Sequence, residues 1–233
     1  MVRPAYTNPE ATLAFNLNSP EVRELIKLDD DMHTLIEAVG EVEVDIEGDG
    51  FVSLARAICD QQISIHAARA IWGRLEQLCA KAGASASATQ TSTRSPVTSA
   101  AILAHDIEQL RSVGLSRSKA AYLIDLAQHV DDERIVFGEL ATHDDETIIA
   151  ELIRIKGVGR WTAQMHLIFS LGRLDVFAPA DGGLRRSVCA LKGLPSDVPP
   201  AMIEAIAEDW APYRTVASLY LWRGLGQGVI QSL

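Results

Sequence analysis

A glycine-rich turn between two apolar segments is the strongest sign of chemistry in this sequence. Residues 152–163 read LIRIKGVGRWTA, so Gly157-Val158-Gly159 separates two stretches with helical spacing. The glycines permit positive φ and close approach of the backbone, while Ile155 and Val158 could anchor the turn in a core. A helix that starts directly after the turn offers unpaired N–H groups and a positive dipole end to a phosphate. Any tight corner between helices can use the same glycines, so spacing alone leaves both interpretations open.

An acidic loop follows about twenty residues later. Asp175 and Asp181 lie in the irregular stretch 175–183, which leads into another predicted helix. A carboxylate in such a loop could stabilise positive charge that develops on a substrate. An aspartate directly before a helix commonly serves as its N-cap, and from the residues alone that interpretation of Asp181 is favoured.

The composition argues at first against a nucleic-acid partner. The 233 residues carry a net charge of -10, and the first 50 residues contain twelve Asp and Glu. Residues 151–190, however, contain six Lys and Arg against three acids, which makes this stretch locally +3. Basic side chains neutralise phosphates, so this stretch could form a basic, DNA-binding surface on an otherwise acidic protein.

The elements that must position these residues are predicted to be helical. Apolar spacing predicts a helix at about 116–130 and another that Thr142 caps and that runs to about Ile153. Only residues 42–46 and 134–137 read as extended, so the all-α class is expected.

The widely separated Cys59, Cys79 and Cys189 predict buried thiols rather than a metal cluster. No apolar run reaches the length of a membrane span, and the N-terminal residues show no signal-peptide pattern. We therefore expect a cytoplasmic, nucleoid-associated protein.

Four segments together resemble a known family. IKGVGRWTA is similar to the hairpin of the helix-hairpin-helix (HhH-GPD) DNA glycosylases, and DVFAPADGGLRRSV (175–188) is similar to their aspartate-bearing loop. LARAICDQQISIHAARAI (54–71) and WAPYRTVASLYLW (210–222) also agree. The resemblance is closest to the 3-methyladenine DNA glycosylase II (AlkA-like) branch. It implies two helical layers, a barrel at 53–173 and a second domain of 1–52 plus 174–233, with a DNA cleft between them.

The resemblance also implies a reaction. Asp181 matches the catalytic aspartate, which would stabilise the charge left on the deoxyribose when a base departs. Bifunctional relatives carry a Schiff-base lysine at the position of Trp161. Since tryptophan has no such amine, we expect a monofunctional enzyme that releases alkylated bases by hydrolysis, leaves an abasic site, and uses Trp161 as a pocket wall. A plain core tryptophan is the alternative for Trp161.

Further residues take their roles from the same resemblance. Gln62 matches the wedge that fills the gap left by a flipped base, and its polar side chain could instead hydrogen-bond the orphaned base or simply be solvated. Aromatic faces that could bind a cationic base come from Trp161, Tyr213 and Trp222, although core packing is an equal alternative for Trp222. The remaining expected DNA contacts are Gln61, Ser64, Gly157, Val158, Gly159, Arg160 and Thr162.

No cofactor is expected to be required, although the carbonyls of Ile153, Ile155 and Val158 could hold Na⁺ or K⁺ against a phosphate. The resemblance implies that the protein binds double-stranded DNA with a damaged base and does so as a monomer. No membrane partner is expected. Two rival functions stay open. One is a glycosylase of the same fold for deaminated or oxidised bases. The other is a non-catalytic helix-hairpin-helix module that only binds DNA.

Overall fold

The computed structural model describes residues 12–84 and 95–231, which divide into two compact units. One unit is formed by residues 49–166, and the other by residues 1–48 together with 167–233. Apart from one short two-stranded sheet, the regular secondary structure of the described residues is helical, in agreement with the all-α prediction. The domain bounds predicted from the sequence stay a prediction. They include residues 1–11, 85–94 and 232–233, which lie outside the described part of the chain.

The described part of the unit of residues 49–166 consists mainly of helices. They are α3 (Gly50–Asp60), α4 (Ile65–Ala84), α5 (Ser99–Leu103), α6 (Ile107–Ser112), α7 (Arg117–Asp131), α8 (Phe137–Leu140), α9 (Asp145–Leu152) and the first part of α10 (Arg160–Phe169). Helix α7 contacts both α3 and α5, and it buries Ala120, Leu123, Leu126 and Ala127. Its position at the centre of this core follows from that apolar stripe.

The other unit combines the remaining elements from both ends of the chain. They are β1 (Thr12–Phe15), α1 (Pro20–Leu28), α2 (Asp30–Val39), β2 (Val42–Asp45), α11 (Gly182–Leu191), α12 (Pro200–Glu208), α13 (Arg214–Gln227) and a 3-10 helix (Val229–Gln231). Strands β1 and β2 are antiparallel and pair Thr12 with Asp45. Helix α13 is buried continuously from Thr215 to Leu221, because other elements cover it on several sides.

The ends of the helices show which local predictions held. Helix α7 agrees with the predicted helix at about 116–130, and the side chain of Ser116 accepts the N–H of Lys119 at its start. The predicted Thr142 cap is wrong, because α9 begins three residues later with Asp144 as its cap. The predicted extended stretch 134–137 is also wrong at its end, since Phe137 begins the one-turn helix α8.

The three cysteines are free and buried, as predicted. Burial raises the pKa of Cys59 to about 12 and that of Cys79 to about 11, so neither thiol is an activated nucleophile. Among the described residues, no group of three or more His, Cys, Asp or Glu could hold a metal ion. The same part of the chain contains no helix with the length and apolarity needed to cross a membrane.

Candidate active site

The turn between α9 and α10 is anchored as its sequence predicts. Ile155 and Val158 are both buried, and the N–H of Val158 donates to the carbonyl of Ile155 at 3.1 Å. Gly157 has a φ of 84°. A Cβ at this position would lie 2.2 Å from Cδ2 of Tyr122 on α7. Both the backbone angle and the packing of Tyr122 therefore require glycine at residue 157.

Gly159 differs from Gly157 because neither its backbone angle nor the packing around it requires glycine. Its φ lies outside the left-handed region, and a Cβ added to it would meet nothing within 4 Å. Gly159 directly precedes α10, where the first N–H groups of a helix have no partners within the helix. The space in front of this helix start is thus open to a ligand that approaches the backbone closely.

The cations of the hairpin are paired with acids. Arg154 contacts Glu151, Lys156 contacts Asp125, and Arg160 contacts Glu146. Asp125 and Glu146 lie outside the stretch 151–190, which is why counting charges within that stretch gave +3. These pairs reduce the basic character of the hairpin, so backbone N–H groups become the more important candidates for a phosphate contact.

Residues 61–64, here called the wedge loop, connect α3 to α4. Gln62 is exposed and has a φ of 56°, a left-handed conformation that is uncommon outside glycine. The side chain of Gln61 donates from Nε2 to the carbonyl of Gly157 at 2.8 Å. Ser64 accepts the N–H of Ala67 at 3.3 Å and so caps α4. Ile63 is a large exposed apolar side chain beside Gln62, and the sequence reasoning did not single it out.

The first turns of α10 contain both exposed and buried side chains. Trp161 is 42% exposed, which excludes the alternative that it is a plain core tryptophan. Thr162 is buried, so its hydroxyl is not on the open surface of the hairpin. His166 is fully buried beside Phe137, with a ring centroid distance of 5.7 Å. Burial lowers the pKa of His166 to about 4, which keeps this imidazole neutral near pH 7.

In the other unit, Asp181 has the geometry of an N-cap and a second contact besides. Its Oδ1 accepts the N–H of Leu184 at 2.8 Å at the start of α11. The same oxygen accepts the indole N–H of Trp222 on α13 at 3.0 Å. The capping interpretation is therefore correct, but it does not exclude a chemical role, because two donors from different elements fix the orientation of this half-buried carboxylate.

Gly183 makes the contact between Asp181 and Trp222 possible. A Cβ on Gly183 would lie 3.0 Å from Oδ1 of Asp181 and 3.3 Å from Cδ1 of Trp222. Either the carboxylate or the indole would have to move to accommodate a larger residue. The Gly-Gly pair directly after Asp181 is the signal in the sequence that could have identified this requirement.

Trp222 also lines an open cleft of about 540 Å³. Its ring lies 5.8 Å from that of Phe169, and Leu219 is a further apolar wall. The other lining residues are Val42, Glu43, Val44, Arg223, Gly226 and Gln227. Tyr213 is not among them. It precedes α13, is half-buried, and donates its N–H to the carbonyl of Trp210 at 2.8 Å.

Asp175 ties the acidic loop to the start of α13. This buried carboxylate accepts the Arg214 Nε–H at 2.8 Å and a terminal N–H of the same guanidinium at 3.1 Å. A bidentate pair of this kind has a well-defined geometry. Asp175 therefore holds the loop against the start of α13.

Comparison with known proteins identifies a related family. The sequence profile described as HhH-GPD superfamily base excision DNA repair protein matches residues 55–212, which include both the hairpin and Asp181. A relative in Bacillus subtilis (strain 168), YfjP, has the provisional name of a DNA-3-methyladenine glycosylase. It is 37% identical over 120 residues, which is 52% of this chain and 42% of YfjP. The chain thus spans less than half the length of that relative.

Two solved structures match over nearly the whole chain. A DNA-3-methyladenine glycosidase from Bacillus halodurans gives a TM-score of 0.79 at 36% identity, covering 93% of this chain and 94% of that protein. The Schizosaccharomyces pombe 3-methyladenine DNA glycosylase Mag1, in complex with abasic DNA, gives 0.74 at 29% identity. That match covers 88% of this chain and 96% of Mag1.

Proposed function

Because the chain belongs to the HhH-GPD superfamily of base excision DNA repair proteins, we propose that it is a monofunctional DNA glycosylase for alkylated bases of the 3-methyladenine type. It hydrolyses the N-glycosidic bond and leaves an abasic site. The names of the three similar proteins support this substrate class. Its partner is double-stranded DNA with a damaged base, which it binds as a monomer on nucleoid DNA in the cytoplasm.

The observation that carries the proposal is the fixed carboxylate of Asp181. Departure of the base leaves positive charge on the deoxyribose, and a carboxylate held nearby stabilises this transition state more than the ground state. Two opposite charges about 4 Å apart gain about 4 kcal/mol at an effective dielectric of about 20. This energy corresponds to about a thousandfold in rate. The two donors on Oδ1, from Leu184 and Trp222, hold the group in place without reorganisation.

The hairpin supplies the DNA contact. A phosphate can approach the open backbone at Gly159 and accept hydrogen bonds from the first N–H groups of α10. Gln62, exposed in its left-handed conformation, enters the duplex or hydrogen-bonds the orphaned base. Na⁺ or K⁺ among the carbonyls of the turn would reinforce the phosphate contact. The carbonyl of Ile155 already accepts the Val158 N–H, so it would offer the cation its second lone pair.

Aromatic side chains account for the preference for alkylated purines. These bases are cationic, and an aromatic face attracts a cation by about 0.5 to 2 kcal/mol. Trp161 and Trp222 both present exposed or half-exposed rings, with Tyr213 as the third candidate. A cationic base departs readily, so the mechanism requires no general acid. Water is the nucleophile.

A panel of lesions tests this proposal against its rivals. Purified protein is incubated with duplexes that contain 3-methyladenine, ethenoadenine, hypoxanthine, uracil or 8-oxoguanine, and the released bases are quantified. Release of 3-methyladenine above the other bases is expected. Release of only deaminated or oxidised bases would contradict the alkylation assignment, and release of none of the five bases would favour a module that only binds DNA.

Trapping with borohydride tests the monofunctional assignment. Trp161 stands where bifunctional relatives carry their Schiff-base lysine, so no covalent adduct with damaged DNA is expected. A trapped adduct would mean that another amine of the protein performs lyase chemistry.

A further inference from the structure

One face of α7 contacts both DNA-binding segments of the same unit. Lys119, Tyr122 and Asp125 are spaced three residues apart, so their side chains lie along one side of the helix. Lys119 contacts the wedge loop, whereas Tyr122 and Asp125 contact the hairpin. None of the three was singled out in the sequence, because their roles depend on partners far away along the chain.

Lys119 binds the chain at the point where α3 ends and the wedge loop begins. Its Nζ donates to the carbonyl of Cys59 at 2.8 Å and to the carbonyl of Gln61 at 2.6 Å. Carbonyls at the end of a helix lack partners within the helix, and a charged donor makes the stronger kind of hydrogen bond to them. The next residue is Gln62, whose left-handed backbone needs such support from its surroundings.

The hairpin is held by the same helix through two further contacts. The ring of Tyr122 packs against Gly157, and Asp125 accepts the backbone N–H of Lys156 at 2.9 Å. Asp125 also pairs with the ammonium group of Lys156 at 3.1 Å. Burial alone would raise the pKa of Asp125, but the hydrogen bonds and charge of Lys156 lower it overall. Asp125 is therefore ionised when it binds the hairpin.

A direct bond between the wedge loop and the hairpin closes this arrangement. The Gln61 amide donates to the carbonyl of Gly157, the residue that packs on Tyr122. The two segments are consequently held to each other and to α7, so that their separation is fixed within one rigid cluster. In this respect Gln61 acts inside the protein, although the sequence resemblance had placed it among the expected DNA contacts.

We propose that Lys119 is a positioning residue, which sets the wedge loop at a fixed distance from the phosphate-binding hairpin. The inference rests on the proposed function. A wedge inserts productively only if it reaches the base pair at a set distance from the bound phosphate, and small misplacements of reacting groups cost large factors in rate. Lys119 thus acts on extrusion of the base rather than on cleavage of its bond.

The test compares Lys119→Met with the matched control Lys81→Met, which removes an exposed lysine from the end of α4. Single-turnover excision is measured on a paired 3-methyladenine and on the same lesion in a one-nucleotide bulge, where little extrusion is needed. For Lys119→Met we expect a loss of about tenfold on the paired lesion, equivalent to about 1.4 kcal/mol. On the bulged lesion the rate should change by less than about threefold. The control should match the wild-type protein on both.

A second variant covers the case in which Lys119→Met does not fold. Gln61→Leu removes the bond to Gly157 with little change in size and should show the same selective loss on the paired lesion. The double variant should lose no more than the larger single loss, because both changes release the same loop. Equal losses on paired and bulged lesions, or no loss on either, would overturn the inference. Failure of the wild-type protein to release the base from either substrate would refute the proposed function itself.

Discussion

At the scale of single residues, the decisive feature is that one oxygen of Asp181 has two donors. The Leu184 N–H comes from the helix that Asp181 caps, and the Trp222 N–H comes from a helix 41 residues further along the chain. The first donor restricts the side chain to the helix start. The second restricts the rotation that a lone cap would still permit, so the carboxylate is held in one orientation before any substrate arrives.

Trp222→Phe tests the contribution of the second donor. Phenylalanine retains an aromatic ring next to Phe169 but has no N–H for Asp181. A hydrogen bond to a charged group contributes about 1.5 to 3 kcal/mol, so excision of 3-methyladenine should fall by about tenfold or more. Single-turnover rates measure the loss, and thermal unfolding verifies that the variant is folded. A rate equal to that of the wild-type protein would mean that the indole N–H does not position Asp181.

The sequence predicts the position of Asp181 but not its surroundings. A loop aspartate before a helix and its family pattern could be recognised along the chain. The Trp222 donor and the crowding at Gly183 could not, because they depend on how α11 and α13 pack. The same limit applies to Gln61, whose bond to Gly157 joins residues 96 positions apart.

At the scale of elements, the two glycines of the hairpin have different reasons for being glycine. Gly157 is required by its positive φ and by the Tyr122 ring, both internal to the protein. Gly159 has no such internal requirement, since its missing side chain leaves empty space. The sequence motif does not distinguish the two glycines. The packing around them does, because it shows that Gly157 is required for folding and that Gly159 leaves space for a ligand.

Replacing each glycine by alanine should separate these roles. Gly157→Ala should lower the free energy of unfolding by more than about 1 kcal/mol, because alanine resists positive φ. Gly159→Ala should retain the wild-type thermal stability and weaken binding to abasic DNA, since its methyl group occupies the space for the phosphate. Thermal melts and binding isotherms at one salt concentration measure both effects. Wild-type affinity of Gly159→Ala would contradict the proposed phosphate contact.

Short elements were the least predictable part of the fold. Strand β2 lies where the alternating residues 42–46 predicted extended chain, whereas β1 was not recognised. Four residues carry too little periodicity to distinguish a strand from a loop, and the partner strand decides the outcome. Helix α8 illustrates the same ambiguity, since the apolar run that ends at Phe137 read as extended.

At the scale of the whole molecule, an acidic protein is proposed to bind a polyanion. Its net charge is -10, and the cations of the hairpin are paired with acids. Affinity that depends on backbone N–H groups at one helix start is consistent with this composition, because it needs few free basic side chains. The all-α class and the family were evident from the sequence, whereas the pairing of these charges required the structure.

The stability of the molecule should depend on pH through His166. Burial lowers its pKa from 6.5 to about 4, so between these values the unfolded chain binds a proton that the folded protein does not. The free energy of unfolding should therefore fall as the pH decreases from about 6.5 to about 4, by about 3 kcal/mol in total. Denaturant titrations across this range measure the dependence.

Two variants isolate this contribution from that of the carboxylates. His166→Leu removes the titrating group and should flatten the profile between pH 6.5 and 4.5. His66→Gln changes an exposed histidine of α4 and should leave the wild-type profile intact. If His166→Leu kept the wild-type slope, the buried imidazole would not be its source.

The most direct test of the catalytic assignment is single-turnover excision of 3-methyladenine by Asp181→Asn, measured together with affinity for abasic DNA. Asparagine can still cap α11 and accept the Trp222 N–H, but it carries no charge. We expect the excision rate to fall by about a thousandfold, with DNA affinity and thermal stability close to those of the wild-type protein. An unchanged rate would contradict the account, because the negative charge of Asp181 would then play no part in breaking the glycosidic bond.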